Sequence, residues 1–152
     1  MTKKQIIKNA KSFIGCAVMP DFSGEILTEN LLSKIQMKYK LFGAGSYQLA
    51  KKFIGKKIIS KIDFLNAMLE TEFTSINEAI NKLELSKIDF SKSNIGNIVF
   101  DDNNNFGVVI KTGKVLTPKG FAYGFVEEDI NKFVYTANYK TEEMTNIDTL
   151  KK

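Results

Sequence analysis

The chain has 152 residues and a formal charge of +5 at pH 7, from 22 basic against 17 acidic side chains, with a single Cys and no His. That length suits one domain with one hydrophobic core, a lone Cys16 excludes an intramolecular disulfide, and the lack of His removes the usual zinc constellations, so neither a metal nor another cofactor is expected. All the basic residues are Lys and none is Arg, which argues against nucleic acid as a partner, because the planar guanidinium fork is the usual reader of bases and phosphates.

Ile6, Ile7, Ala10, Phe13 and Ile14 recur at helical spacing, and Gly15 is placed to end that helix in a left-handed conformation. Lys8, Asn9 and Lys11 interrupt the apolar positions, so no secretory signal is read and synthesis in the cytoplasm is expected. No apolar run approaches the roughly 18 residues of a membrane-spanning helix. Cys16 to Pro20 form an apolar connector. The stretch Pro20-Asp21-Phe22-Ser23-Gly24 then reads as the entry of a second helix, with Asp21 or Ser23 as its cap and Phe22, Ile26, Leu27, Leu31 and Ile35 as its buried stripe. Gly24 would permit close backbone approach. After a break at Gly43 and Gly45, a third helix starts at Ser46 and carries Tyr47, Ala50, Phe53 and Ile54.

Residues 60–85 read as two short helices. Asp63 opens the first, and Ser75 with Glu78 forms a capping box for the second, whose apolar face is Ile76, Ala79, Ile80 and Leu83. Beyond Gly96 the period changes from helix to strand. Asn97 to Phe100, Phe106 to Lys111 and Lys114 to Thr117 are strands, the last two joined as a hairpin at Thr112-Gly113. Phe121, Tyr123 and Phe125 alternate, and Phe133 to Tyr139 forms a further aromatic strand. Helices followed by strands indicate an α+β domain, with N-terminal helices packed on a C-terminal antiparallel sheet. Residues 1–139 form this single domain, and 140–152 a polar tail with little to bury.

Several stretches carry two readings each. Asp101 to Asn105 is either a calcium-binding loop or a polar hairpin turn. Glu127-Glu128-Asp129 either meets a basic partner, caps a short helix at Ile130, or is a solvated surface. The aromatic residues from Phe121 to Tyr139 offer either a glycan-stacking face or, by alternation, core. The connector Gly43 to Tyr47 either lines a groove or only breaks a helix. Cys16 is either a small buried hydrophobe or a nucleophile, and Ser23 beside its lysines either a surface hydroxyl or half of a Ser/Lys pair.

Two segments, taken in order, resemble the NlpC-type cell-wall endopeptidases, a small bacterial branch of the papain-like fold. Ala10-Lys11-Ser12-Phe13-Ile14-Gly15 followed by Asp21-Phe22-Ser23-Gly24 looks like the family's first helix and its Asp-Cys-Ser-Gly nucleophile motif. Gly96 to Phe100, Asn105 to Ile110 and Gly113 to Leu116 look like its second signature, a strand, a His followed by hydrophobic-Gly-hydrophobic, and a Gly-Lys hairpin. The resemblance implies a papain-like fold in which residues about 60–85 are a helical insertion. It places the nucleophile at Phe22, the general base at Asn105 and the orienting residue near Thr117, with Asp21, Ser23, Gly24 and Tyr47 as binding residues.

A phenyl ring cannot attack a carbonyl, and an amide cannot accept and return a proton near neutral pH. The resemblance therefore implies a pseudoenzyme, a catalytically inactive binding or structural domain. Its partner would be a protein in a larger assembly or a peptidoglycan stem peptide, and its setting a phage tail or tail-like particle, as a baseplate or hub component of the virion. Two alternatives stand beside it: an active peptidoglycan endopeptidase using Cys16 or Ser23, and a small inhibitor or immunity protein.

Overall fold

In a computed structural model of the chain, residues 1–39 and 44–139 are described. Gly43 of the expected break and the expected polar tail 140–152 lie outside the described residues, whereas Gly45, the other half of that break, lies inside a helix that starts at Ala44 rather than at Ser46. Five α-helices and a six-stranded antiparallel sheet make up the α+β architecture. The helices are α1 (Lys3–Lys11), α2 (Glu29–Tyr39), α3 (Ala44–Ala50), α4 (Lys61–Leu69) and α5 (Ile76–Leu83). The strands are β1 (Ala17–Val18), β2 (Ile58–Ile59), β3 (Leu85–Lys87), β4 (Ile98–Phe100), β5 (Phe106–Lys111), β6 (Lys114–Gly120), β7 (Gly124–Asp129) and β8 (Tyr135–Ala137). The large sheet runs in the order β3-β8-β4-β5-β6-β7, while β1 and β2 form a separate parallel pair.

Side chains of the central strands alternate between two buried faces, as the two-residue period of a strand requires. Ile98, Phe100, Phe106, Val108 and Leu116 face α1, α4 and α5, whose Ile6, Ala10, Phe64, Leu65, Met68 and Leu83 complete the main cluster. Val99, Val109 and Val115 point the other way, under Ile88 and Phe133. The segment 60–85, read from the sequence as an insertion, thus supplies the helix that lies against α1 and the sheet. A second cluster joins Ala17, Met19, Leu27, Leu32, Ile35, Ala50, Phe53 and Ile58.

Capping residues fix the helix starts. Thr2 and Gln5 form a reciprocal capping box on α1, and the Ser60 and Ser75 hydroxyls accept from the backbone N–H of Asp63 and Glu78 at the starts of α4 and α5. Ser60, not Asp63, therefore opens α4. The expected box on α5 is half formed, because the Glu78 carboxylate turns instead to the backbone N–H and hydroxyl of Thr74.

The largest departure concerns the second helix. It begins at Glu29 rather than at Phe22, with the Thr28 hydroxyl accepting from the Leu31 N–H at 3.1 Å. Residues 24–27 lie instead along residues 55–58. Gly24 and Leu27 donate to the carbonyls of Ile58 and Lys56, while Ile58 and Gly55 donate to Glu25 and Leu27. A segment whose backbone groups are paired laterally has none left for helical bonds. Phe22 and Gly24 also sit at φ of 64° and 93°, outside the right-handed helical region. A Cβ on Gly24 would meet nothing within 4 Å, so this glycine serves the turn and not a close approach.

Smaller departures have similar causes. Helix α1 ends at Lys11, leaving Phe13 in a turn, where its ring meets Phe64 edge-on at 5.6 Å. Phe121 to Tyr123 form the turn between β6 and β7 rather than a strand. Glu127, Glu128 and Asp129 lie on β7, where Lys111, Lys119 and Lys114 pair with them. Asp129 precedes the 3-10 turn Ile130–Lys132 but makes no side-chain cap bond.

Two glycines test the packing. A Cβ at Gly107 in β5 would run into the Leu116 carbonyl and stand 2.6 Å from Val115 Cγ1. Gly107→Ala is expected to cost about 1–3 kcal/mol. Gly45→Ala, in open space on α3, should stabilise by about 0.5 kcal/mol. Denaturant midpoints for the two variants should move in opposite directions.

The β6–β7 pairing sets a pH dependence. The hydrogen bond and charge of Lys114 hold Asp129 below the usual carboxylate range, and Asp129 raises Lys114 in turn. A depressed carboxyl contributes stability above its unfolded pKa, and that contribution is lost as pH falls through the folded value. A raised lysine contributes below its unfolded pKa and loses that as pH climbs through the folded one. Thermal melts should therefore show a plateau around neutrality, and Asp129→Asn should make the acid limb shallower. Glu78 and Asp89, also held low by Thr74 and Ser91, add to the acid limb in the same direction.

Candidate functional site

The loop 101–105 between β4 and β5 is built around one carboxylate. Asp101 Oδ1 accepts from the backbone N–H of Asn103 at 2.8 Å and of Asn105 at 2.9 Å, and Oδ2 accepts from Asn105 Nδ2 at 3.0 Å. Asn104 takes the left-handed position at φ 63°, a conformation that asparagine tolerates better than most residues. The stretch is thus a hairpin turn in which both Asp101 oxygens are used within the loop. On the neighbouring β6, Thr117 is 5 % exposed and donates its hydroxyl to the Phe106 carbonyl at 2.7 Å.

Asn105 and Thr117 both line a polar pocket of about 230 Å³. Asp101, Lys119, Glu128 and Lys132 complete its polar walls. Glu128 receives Lys119 at 3.3 Å and Lys132 at 4.0 Å. Such a pocket can hydrogen-bond a polar or charged group. Phe22 is not one of its walls; its ring packs half-buried in the second cluster, with Lys38 Nζ 5.8 Å from its centre.

The expected binding residues are dispersed among structural tasks. Asp21 pairs with Lys38 at 3.5 Å, and the Ser23 hydroxyl accepts from the Ser60 N–H at 3.1 Å. Gly24 turns the chain, and Tyr47 rests on the second cluster with Lys51 Nζ 5.2 Å from its ring centre. None of the four lines this pocket or the larger cavity described next. Of the aromatic residues from Phe121 to Tyr139 offered as a stacking face, Phe125, Phe133, Tyr135 and Tyr139 pack against clusters, and Tyr123 is 52 % exposed.

A larger cavity, about 610 Å³, opens between the residues after β1, the starts of α4 and α5, and the β6–β7 turn. Val18, Met19, Pro20, Ile62, Ile76 and Phe121 make its apolar wall, and Ser60, Lys61, Ser75 and Lys119 add polar groups. Lys119 lines both pockets. Sequence reading missed this cavity because four remote segments build it. The one usable signal was the pair of serine caps, which mark two helix starts but not their convergence.

No protein-family model, curated protein or solved structure matches the chain. The family expectation therefore rests on residues alone. The strands and hairpin read between Asn97 and Leu116 are present, and the helix read from residues 21–24 is not.

Cys16 is half-buried and lines neither pocket. Desolvation pushes its thiol above the usual value, with Lys57 and Lys56 opposing more weakly, so less thiolate is present to react. Iodoacetamide should alkylate Cys16 more slowly in the native chain than in the denatured chain at mildly alkaline pH. An equal or faster native rate contradicts this account of the thiol.

Proposed function

We propose that this chain binds rather than cuts: a catalytically inactive relative of the NlpC-type papain-like endopeptidases, used as a binding or structural piece of a larger assembly. The observation that carries the reading is the polar pocket around Thr117. Asn105 directs its side-chain amide nitrogen at Asp101 with one N–H, and Thr117 donates its hydroxyl proton to the Phe106 carbonyl. Acyl transfer of the papain kind needs a thiolate beside an imidazole. The chain has no His, and its one thiol is outside the pocket and held protonated by burial.

The relation to the family is supported by the second signature, where β4, the 101–105 loop, β5 and the hairpin to β6 follow one another as that pattern requires. The first signature gives it no such support, since α2 starts after Thr28. The occupant this reading favours is a protein segment or a peptidoglycan stem peptide. A phage tail or tail-like particle is the setting the resemblance implies, by analogy with the family alone.

Purified protein incubated with peptidoglycan sacculi should release no stem-peptide fragments detectable by mass spectrometry, and Cys16→Ala and Ser23→Ala should behave as the parent does. Fragment release by the parent that either substitution abolishes would overturn the reading and restore an enzyme.

A further inference from the structure

We propose that the 610 Å³ cavity is a binding site for an amphipathic carboxylate, a single aliphatic chain ending in one anionic head. The inference does not depend on the family reading. Its volume lies within the roughly 300–1,000 Å³ of small-molecule sites. Val18, Met19 and Pro20 from one side, Ile62 and Ile76 from two helices, and Phe121 from the turn present hydrocarbon to the interior. Walls of this kind reward burial of methylenes and offer few partners to a polar body.

The charged groups define the head. No acidic residue is among the described residues lining the cavity, whereas two lysines, Lys61 and Lys119, are. Lys119 shares its charge with Glu128 at 3.3 Å. Lys61 makes no ion pair among the described residues. The caps Ser60 and Ser75, at the N-termini of α4 and α5, also border the cavity, and the first-turn acids Asp63 and Glu78 are not among its walls. A neutral hydrocarbon would cover Lys61 without compensating its charge, and an anionic head supplies that compensation. The head belongs at Lys61, with the chain lying along Ile62, Ile76 and Met19.

Calorimetric titration of the full chain with decanoate, octanoate and decanol tests the site. Saturable one-to-one binding of decanoate is expected, tighter than octanoate by about fourfold for each methylene, with decanol weaker than decanoate. Lys61→Gln should remove the advantage of decanoate over decanol and leave decanol unchanged. Ile76→Trp, which fills the cavity, should abolish both, with a thermal melt to show that the variant folds. Equal affinity of the parent for decanoate and decanol, or unchanged decanoate binding in Lys61→Gln, overturns the proposal even if Ile76→Trp fails to fold. Flotation with phosphatidylglycerol vesicles separates the sources of such a chain. No flotation assigns a free acid, flotation that decanoate competes away assigns a membrane-held acyl chain, and flotation indifferent to decanoate overturns the cavity as the site.

Discussion

Phe64 is the side chain on which the two layers of the molecule meet. Fully buried on α4, it lies edge-on to Phe13 at 5.6 Å and to Phe125 at 4.8 Å, and stacks on Phe106 at 6.0 Å. One ring thus touches the turn after α1, the outer strand β7 and the central strand β5. Burial of such a ring contributes about 1.5–3 kcal/mol, and well-placed aromatic pairs about 0.5–1.5 kcal/mol each beyond area. More important is direction: with Phe64 seated, the axis of α4 and the position of its first turn are set relative to the sheet. Both pockets border elements that this seating fixes.

The residues just before α4 transmit the constraint to the second cluster. Ile58 and Ile59 pair in parallel with Ala17 and Val18, and on their other side residues 24–27 are bonded to residues 55–58. A short strand with partners on both edges cannot shift without breaking both sets of bonds. It holds Ser60 where its hydroxyl caps α4 while its N–H reaches Ser23. The cavity opens at this joint because the chain must turn there from strand into helix, and the space left beside the turn is bounded by whatever packs around it.

These causes explain what a reader of the residues can and cannot recover. The strands from Ile98 to Leu116 were legible because Val, Ile and Phe alternate there, and because Thr112-Gly113 and the Asp101–Asn105 loop carry turn chemistry. Helix α5 was legible from Ser75 and the apolar spacing after it. The paired two-residue strands β1 and β2 show no period at all, since two apolar residues fit any structure. The start of α2 was misplaced by taking Asp21 or Ser23 as its cap. Thr28 before Glu29 is an equally good one, and lateral pairing of residues 24–27 decided between them. Asn105 and Thr117 were named together only through the resemblance; the cavity was not legible at all, because its walls come from segments separated by as much as the distance from Val18 to Phe121.

Charge follows the same logic of position over composition. Most of the excess lysine is solvated, and the ion pairs along β7 are surface pairs of the kind worth about 0–1 kcal/mol. What distinguishes individual lysines is whether a carboxylate stands opposite. Lys114 faces Asp129 across the β6–β7 ladder, and Lys119 and Lys132 converge on Glu128, so these charges are answered within the fold. Lys61 is at the start of α4, in the wall of the larger cavity beside Ile62, and makes no ion pair among the described residues. The seating of Phe64 that fixes α4 therefore also fixes where this unanswered charge stands relative to the apolar wall.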